Sequence, residues 1–197
     1  MSLTLYSDPY DIFKEWFQMA EKNEPVDPNA MTLATCSRTG RPSARTVLLK
    51  SWDSGGFTFF TNYNSRKAQD ITENPQAALL FYWKSLGRQV RIEGRVEKLP
   101  PAQSDEYFAG RPENSQLGAW ASQQSEHLES REALLAKMAE YKNQFSGRTI
   151  PRPPHWGGYI LKPDHFEFWQ AGDARLHDRF SFDMQNNADW HGQRLNP

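Results

Sequence analysis

Two neighbouring cations, Arg66 and Lys67, stand where the sequence predicts that a helix begins. Asn64 or Ser65 can act as the N-cap, and a helical stretch then runs to Asn74, which precedes a proline. Cations in a first helical turn are unfavourable by roughly 0.3–1 kcal/mol each, because the free N–H groups and the helix dipole are positive there. A phosphate held by the N–H groups and both side chains would offset this cost, whereas a solvated basic turn is the plainer alternative.

Two more cations, Arg45 and Lys50, lie on the segment before this helix. Residues 43–52 and 57–62 are rich in β-branched and aromatic residues and flank the loop 53–56, a pattern typical of a β-hairpin. At about 3.3 Å per residue the two cations would be roughly 16 Å apart, too far to hold one phosphate but suited to opposite ends of an elongated ligand. Because strict alternation places them on opposite faces, such a ligand must lie along a strand edge, or the strand must bulge.

A second group of potential cations, Arg175, His177 and Arg179, recurs at every other position near the end of the sequence. If residues 175–182 form a strand, period two puts all three on one face, and Asp178 on the other face does not neutralise them. Like charges on one strand face repel, so we expect an anionic or electron-rich ligand opposite them. Taken alone, His177 could equally be an ordinary surface histidine.

Gln89 opens the polar face of residues 88–99, which alternate between polar and apolar side chains. Such alternation predicts a strand with one buried and one solvated face, as in an antiparallel barrel or meander. A planar amide here could bond the edge of a heterocycle, and the alternative is a solvated strand residue.

The composition excludes several classes of protein. With 197 residues, 38% of them hydrophobic and 24% charged, the chain is long and apolar enough for an ordered core. A net charge of −1 and a pI near 6.5 provide no electrostatic footprint for nucleic acid or an anionic membrane, so we expect neither as a partner. The sequence has no signal-peptide pattern and no apolar run that could cross a bilayer, which makes the cytoplasm the expected location.

Metal and thiol chemistry are not expected. Cys36 is the only cysteine, which excludes a disulfide within one chain, and its apolar neighbours indicate a buried small residue. The sequence shows no nucleophile elbow, phosphate-binding glycine loop or dinucleotide fingerprint. Ligand-like spacing is also absent among the remaining histidines, His127, His155, His165 and His191.

The elements around these residues predict one mainly β domain. Asp8 and Pro9 begin an amphipathic helix, and the later connections between strands are hairpin-like and lack a βαβ pattern. We therefore predict an antiparallel barrel with flanking helices over residues 1–197. Its parts are an N-terminal helix (1–24), barrel strands with one helix (25–100), a helical insertion (101–147) and C-terminal strands (148–197). Within them, the longest helix is predicted at 125–145 and the last strands at 158–161, 166–170, 175–182 and 190–195.

Six ordered segments together resemble the pyridoxamine (pyridoxine) 5′-phosphate oxidase family. They are RTVLLK (45–50), TNYNSRKA (61–68), RQVRIEG (88–94), YFAGRPENSQLGAWASQQS (107–125), PPHWGGY (153–159) and EFWQ with RLHDR (167–179). The likeness runs in register from residue 11 to residue 197, and RTVLLK with RLHDR is its most specific pair.

The resemblance implies a fold, a cofactor and a site. The implied fold is an antiparallel split β-barrel, and the implied assembly is a homodimer with one FMN per active site at the subunit interface. The residues that the resemblance assigns to FMN, some of them from the partner chain, are Arg45, Thr46, Val47, Leu48, Leu49, Lys50, Phe60, Thr61, Arg66, Lys67, Gln89, Gln124, Ser125, Trp169 and Arg179. Those assigned to the substrate phosphate are Lys50, Tyr107, Arg111 and Ser115, and those at the substrate ring are Arg175 and His177.

The implied activity is oxidation of pyridoxamine 5′-phosphate or pyridoxine 5′-phosphate to pyridoxal 5′-phosphate, with O2 as the acceptor and release of H2O2, and of NH3 from the amine. Arg175 and His177 are its implied catalytic residues: the first lies over the substrate ring and the second hydrogen-bonds a ring substituent. Two alternatives stay open, another flavin-dependent oxidase of the phenazine-pathway type on the same barrel, and a non-catalytic module that holds flavin, haem or pyridoxal phosphate.

Two features depart from the family pattern. Phe60 stands where a tyrosine is common, which leaves main-chain or apolar contact there. Many relatives also carry a longer N-terminal arm that covers the bound substrate, whereas this sequence starts almost at its first helix.

Overall fold

The computed structural model describes residues 8–186 and 189–197. The first seven residues of the predicted segment 1–24, and residues 187 and 188, lie outside the described part. In that part, the α-helices are Pro9–Asn23 (α1), Arg66–Glu73 (α2), Pro101–Ala109 (α3), Glu113–Ala121 (α4) and Arg131–Gln144 (α5). The strands are Ala30–Cys36 (β1), Pro42–Leu48 (β2), Ser51–Asp53 (β3), Gly56–Asn62 (β4), Gln76–Trp83 (β5), Arg88–Lys98 (β6), Trp156–Gln170 (β7), Asp178–Met184 (β8) and Trp190–Leu195 (β9).

These strands form one antiparallel sheet. Its order is β2-β1-β5-β6-β7-β4-β3, and β8 pairs with β7 and with β9 off this path. The long strand β7 pairs with β4 at its start, with β8 at its end and with β6 along most of its length. The predicted fold class, an antiparallel split β-barrel with flanking helices, is confirmed.

Helix α1 packs into the main core through its aromatic face. Asp8 caps it by accepting a hydrogen bond from the N–H of Tyr10 at 2.8 Å, and Pro9 occupies the first turn. Phe13 is fully buried and meets the ring of Trp52 edge-on, with the ring centroids 5.0 Å apart. The aromatic residues of this helix therefore serve the core, as their helical spacing predicts.

A smaller core cluster lies beneath α3 and α4. Its buried residues are Phe108, Leu117, Ala119, Ile150 and Trp156. Because Trp156 is the first residue of β7, this cluster fixes both helices against one end of the longest strand.

The hairpin predicted over residues 43–62 is only partly correct. β2 ends at Leu48 and pairs with β1, whereas the hairpin itself is formed by β3 and β4. The chain leaves the strand at Leu49 and Lys50, whose N–H groups bond backbone carbonyls of other segments at 2.9 Å. Strand propensity alone does not reveal this change of pairing partner, which interrupts the alternation between Arg45 and Lys50.

The helix predicted over residues 125–145 starts too early. α5 begins only after Ser130, whose side chain caps it, and Ser125 has a φ of 74°, which is incompatible with a right-handed helix. Leu128 and Leu135, both assigned to an apolar stripe, are 47% and 52% exposed. The spacing thus predicted the helix but not how little of it packs on the core. None of the helices in the described ranges combines the length and apolarity needed to span a membrane.

Two predicted strands, 158–161 and 166–170, are one continuous strand, β7. Pro163, which lies between the two predicted strands, is at a shift of register between β6 and β7. The β6 backbone can approach there because Gly94 has no side chain; a Cβ on it would lie 2.1 Å from the carbonyl oxygen of Lys162.

Candidate active site

A cavity of about 850 Å³ lies against strands β2 and β4 and helices α3 and α4. β2 is the terminal strand of the sheet, and side chains from both of its faces reach the cavity. A ligand in the cavity can therefore touch both Arg45 and Lys50 along a strand edge, one of the two arrangements that the sequence predicted. The predicted site residues that line the cavity are Arg45, Thr46, Val47, Leu48, Lys50, Phe60, Thr61, Lys67, Tyr107, Arg111, Ser115 and Gln124.

Lys67 places a buried cation in the cavity wall. Its Nζ donates to the Oγ1 of Thr61 at 3.1 Å, to the Oε1 of Gln124 at 3.2 Å and to the Oγ of Ser65 at 3.4 Å. All three acceptors are neutral, and no carboxylate of the described residues pairs with this ammonium group. Burial, and secondarily the charge of Arg45, lower the pKa of Lys67. An anionic ligand would supply the missing countercharge.

The guanidinium of Arg45 is held by a polar network behind the cavity wall. Its Nη1 donates to the Oγ1 of Thr35 at 2.7 Å and to a carbonyl of β1 at 3.1 Å, and its Nη2 donates to the Oγ of Ser43 at 2.5 Å. Thr35 donates in turn to the buried carboxylate of Asp70 at 2.7 Å, which lies 3.9 Å from Nη2. Burial lowers the pKa of Arg45, and the carboxylate opposes that shift.

Arg66 opens helix α2 as predicted, but its side chain is exposed and does not line the cavity. Its backbone N–H donates to the Oγ of Ser125 at 3.3 Å. Ser65 stands at the N-cap without capping through its side chain, because its hydroxyl donates to the carbonyl oxygen of Asn62 at 2.7 Å. Ser125 is thus adjacent to the helix start. The side chain of Leu49, another predicted contact, is buried in the core.

A second cation of the cavity, Arg111, lies between α3 and α4. Its guanidinium sits over the ring of Trp156, 4.5 Å from the centroid. Its Nη1 is buried and has no hydrogen-bond partner among the described residues, and burial lowers the pKa of the group. Because a buried donor without an acceptor is costly, this atom marks a place for an anion.

Phe60 forms an aromatic wall of the same cavity. Its ring stacks on Tyr107 with centroids 3.8 Å apart and on Trp156 with centroids 5.3 Å apart. The side chain of Phe60 thus presents an apolar surface to the cavity, and main-chain contact with a ligand stays the other alternative that the sequence predicts.

The other predicted site residues form a second group at the far end of β7. Gln89 pairs with Trp169 across β6 and β7, and Trp169 pairs with Arg179 across β7 and β8. The ring of His177 packs against Trp169 with centroids 4.6 Å apart. The Nε of Arg179 donates to the Oε1 of the buried Glu167 at 2.8 Å.

The prediction that Arg175, His177 and Arg179 share one strand face is wrong. β8 begins at Asp178, three residues later than predicted, and Arg175 lies in a short 3₁₀ turn with a φ of 65°. Period-two geometry does not apply to such a turn, so Arg175 and His177 are placed by the turn and only Arg179 by the strand. The turn follows Gly172, at which the chain leaves β7.

His177 is fixed by a main-chain contact. The N–H of Gly172 donates to its Nδ1 at 3.2 Å. Since an accepting nitrogen carries no proton, the neutral ring has its proton on Nε2, which is then a donor. Asp178, for which no contact with these cations was expected, pairs with Arg194 at 2.6 Å.

Within one chain the two groups are far apart along the sheet. Trp156 at the start of β7 lines the cavity, and Trp169 near its end anchors the second group. The two positions are thirteen residues apart, which corresponds to roughly 40 Å along the strand. None of the second group lines the cavity.

Sequence reasoning missed the polar residues behind the cations, Thr35, Asp70 and Glu167. None of them belongs to a motif for ligand binding. Asp70 carried a usable signal, because it follows Lys67 by three residues and so shares its helix face. In the part of the chain that the structure describes, no group of three or more His, Cys, Asp or Glu side chains could hold a metal ion.

Comparison with known proteins decides the family. Residues 19–145 match the family model described as pyridoxamine 5′-phosphate oxidase. The chain belongs to this family. Residues 156–197, which contain most of the second group, match the model described as the pyridoxine 5′-phosphate oxidase C-terminal dimerisation region. This match indicates that the oxidase is a homodimer.

Curated relatives of this oxidase share its sequence over nearly its whole length. The chain is 55% identical over 190 residues to the pyridoxine/pyridoxamine 5′-phosphate oxidase of Cupriavidus necator, covering 96% of this chain and 89% of the relative. It is 52% identical over 191 residues to the oxidase of the same name in Trichormus variabilis, covering 97% and 89%.

Solved structures show the same fold. PhzG from Burkholderia lata 383, in complex with tetrahydrophenazine-1-carboxylic acid, superposes with a TM-score of 0.91 at 37% identity, over 97% of this chain and 93% of that chain. A pyridoxamine 5′-phosphate oxidase-related, FMN binding protein from Nostoc punctiforme PCC 73102 gives a TM-score of 0.77 at 18% identity, over 100% of both chains. At that identity the second likeness concerns the fold alone.

Proposed function

We propose that this protein is an FMN-dependent oxidase that converts pyridoxamine 5′-phosphate or pyridoxine 5′-phosphate to pyridoxal 5′-phosphate, with O2 as the electron acceptor. The observation that carries the proposal is a single cavity lined by the buried Lys67 and by Arg111, whose Nη1 is buried, and neither cation has a carboxylate partner among the described residues. Two separate anions would satisfy them. One phosphate from the flavin and one from the substrate are such a pair, and the names of the curated relatives support the phosphate ester as the substrate.

The surroundings of Lys67 fit the phosphate of FMN. Arg45 and Lys67 supply charge, Thr61 and Gln124 supply neutral polar groups, and the start of α2 supplies the positive end of a helix dipole. The volume of about 850 Å³ allows a ligand with a fused ring system and a phosphate. Arg66 and Ser125 border this end of the cavity.

The surroundings of Arg111 fit the phosphate of the substrate. The buried Nη1 provides a donor with no other partner, and Lys50, Tyr107 and Ser115 line the same cavity. Fixing a remote phosphate supplies binding energy that positions the reacting end of the substrate.

FMN held by Arg45, Thr61, Lys67 and Gln124 would supply the two-electron redox chemistry by which the C4′ carbon of the substrate is oxidised and O2 is reduced to H2O2. With the alcohol the aldehyde forms directly, and with the amine one water enters and NH3 leaves. Arg175 has the flat guanidinium suited to lie over a pyridine ring and hold it in place. His177 donates from Nε2 to a ring substituent, because its Nδ1 is occupied by the N–H of Gly172.

The homodimer completes each site in this proposal. The second group, with Gln89, Trp169, Arg175, His177 and Arg179, belongs to a different end of the sheet from the cavity. The match of residues 156–197 to a dimerisation region supports delivery of this group by the partner subunit.

The test of the proposal uses the purified protein. It should be yellow and release FMN on denaturation, its flavin absorbance should bleach when pyridoxamine 5′-phosphate is added without oxygen, and air should restore the colour with formation of H2O2. A protein that binds FMN but does not bleach with either phosphate ester is not this oxidase; it is then a flavin-binding module or an oxidase of another substrate.

The similarity to PhzG favours a second candidate, oxidation of a tetrahydrophenazine carboxylic acid. That acid offers a carboxylate to the unpartnered Nη1 of Arg111 where the phosphate ester offers a phosphate, so the compound that is oxidised separates the two candidates. Arg111→Met should raise the KM for pyridoxamine 5′-phosphate by at least about tenfold. If the wild-type protein oxidises the tetrahydrophenazine and neither phosphate ester, the second candidate is correct.

A further inference from the structure

Asp70 is a buried carboxylate for which the proposed chemistry has no use. It is 6% exposed, lies on the inner face of α2 and does not line the cavity. Its Oδ2 accepts a hydrogen bond from the hydroxyl of Thr35 at 2.7 Å. A buried ionised group needs partners that justify its burial, so these contacts indicate a purpose for the residue.

Thr35 connects this carboxylate to the cavity. The residue is 3% exposed on β1, and its single hydroxyl proton goes to Asp70. The oxygen lone pairs therefore remain to accept the bond from the Nη1 of Arg45 at 2.7 Å. Because its proton points to Asp70, the hydroxyl of Thr35 is oriented to accept the hydrogen bond from Arg45.

Arg45 needs such an anchor because its neighbours repel it. The charges of Arg45 and Lys67 act on each other, and the charge of Arg66 acts on Arg45. Without contacts behind it, a long flexible side chain among like charges would turn toward solvent and lose its place on the cavity wall.

We propose that Thr35 and Asp70 are positioning residues that hold the guanidinium of Arg45 in the orientation in which it binds FMN. This inference rests on the proposed binding of FMN. Both residues act through Arg45 alone, since neither lines the cavity.

The first experiment measures the dissociation constant of FMN by titrating the cofactor-free protein and following the quenching of flavin fluorescence. Thr35→Val keeps the shape of the side chain but removes the hydroxyl, and should weaken binding by about tenfold. Thr35→Ser keeps the hydroxyl and should bind FMN within about twofold of the wild type. Equal affinity of the valine variant and the wild type would overturn the proposal.

The second experiment asks whether the loss passes through Arg45. In an Arg45→Met background, Thr35→Val should have no further effect on FMN affinity, because there is no guanidinium left to orient. If the valine substitution weakens binding as much in this background as in the wild type, Thr35 has a general structural effect and the proposal is wrong.

Asp70→Asn tests whether Asp70 acts by orienting the hydroxyl of Thr35 or by its negative charge. The amide oxygen can still accept from Thr35, so FMN binding should be no weaker than in the wild type. A loss of FMN affinity as large as that of Thr35→Val would show that Asp70 acts through its negative charge and not through its hydrogen bond with Thr35, and would overturn the proposal.

A measurement without cofactor keeps this inference distinct from the proposed function. The Nη signals of Arg45 in ¹⁵N NMR spectra of the cofactor-free protein should be resolved in the wild type and in Thr35→Ser, and averaged by rotation in Thr35→Val. If the wild-type signals are resolved but the protein fails to bind FMN, the proposed function is wrong and the positioning of Arg45 by Thr35 and Asp70 still holds. If all three proteins give identical signals, Thr35 does not position Arg45 and this inference is wrong.

Discussion

Lys67 and Arg111 line the same cavity, and neither has a carboxylate partner among the described residues. Arg152 pairs with Asp105, and Arg179 pairs with Glu167, at 2.6 and 2.8 Å. A cation satisfied by the protein needs no ligand, whereas one that is buried beside neutral groups destabilises the fold until an anion arrives. At the scale of the residue, this difference is the basis on which we assign the two phosphates of the proposed function to Lys67 and Arg111.

Replacing Lys67 should weaken FMN binding and stabilise the cofactor-free protein. Lys67→Met is expected to weaken FMN binding by about tenfold or more, because a charged hydrogen-bond donor to the phosphate is lost. The same change should raise the melting temperature of the cofactor-free protein by a few degrees at neutral pH, since a buried charge is removed. The exposed Lys14→Met, in α1, is the matched control and should change neither quantity.

The stability gained by Lys67→Met should decrease as the pH rises. Burial sets the pKa of Lys67 in the folded protein below the ordinary value of 10.5. The cost of the charge is fully present below that lowered pKa and is relieved as pH rises toward 10.5, because the folded state then loses its proton before the unfolded state does. Thermal unfolding at pH 7 and pH 10 should therefore show a smaller advantage of Lys67→Met at the higher pH; an advantage that grows with pH would contradict the assignment.

His177 offers a test of which ring nitrogen serves the substrate. The N–H of Gly172 occupies Nδ1, so only Nε2 can donate to a ligand. His177→Gln places an amide N–H near the position of Nε2 and should retain most of the turnover, whereas His177→Asn places its amide near Nδ1 and should lose up to about tenfold in kcat/KM. Equal losses in steady-state assays of the two variants would show that Nε2 is not the donor.

The cations of the site could be found from the sequence, but their orientation could not. The capping pattern around residue 65 correctly placed Lys67 in a first helical turn. For Arg175, the period of a strand was applied to a segment that is a turn, because three alternating side chains look alike in either conformation until the chain is paired. The anchor residue Thr35 was missed because it lies far from Arg45 in sequence and meets it only across the sheet.

At the scale of the element, strand β7 connects the two parts of the site. Its first residue, Trp156, supports Arg111 at the cavity, and its later residues Glu167 and Trp169 support the second group. Glu167 accepts hydrogen bonds from Arg91 on β6 at 2.9 Å and from Arg179 on β8 at 2.8 Å. It therefore ties both neighbouring strands to β7.

Removing the charge of Glu167 should be costly. Glu167→Gln leaves two arginines without their buried countercharge, and breaking such a pair typically lowers the free energy of unfolding by about 3 kcal/mol. Glu97 also pairs with a cation, Lys162 at 2.7 Å, but both side chains are largely exposed, so Glu97→Gln is the control and should leave stability unchanged. Chemical denaturation of the two variants decides the point, and similar midpoints would show that the burial of Glu167 has no energetic consequence.

The positions of helices and strands were predictable where the side-chain period was unbroken, as in β6. They were less predictable where pairing with a neighbouring strand determines where a strand ends. The continuity of β7 through Pro163 depends on Gly94 in the neighbouring strand, which no local pattern reveals. The split between β2 and β3 likewise depends on β1 pairing with β2.

At the scale of the whole molecule, the separation of the two groups along β7 is the basis of our proposal that each site is shared between two subunits. A cavity complete within one subunit would need both groups at the same end of β7, but Trp169 and Arg179 do not line it. Two copies related by a twofold axis can each present the second group to the cavity of the other, which produces two equivalent sites.

This arrangement predicts that two inactive variants restore each other. Arg111→Met weakens substrate binding in the cavity and Arg175→Met disables the second group, so each homodimer should be nearly inactive at substrate concentrations near the wild-type KM. When the two chains are co-expressed with different tags and the mixed dimer is purified, one of its sites carries both substitutions and the other carries neither. The mixed dimer should therefore show about half of the wild-type turnover with pyridoxamine 5′-phosphate. If each site were built from a single chain, every site in the mixed dimer would carry one substitution, and turnover would stay at the level of the two parents.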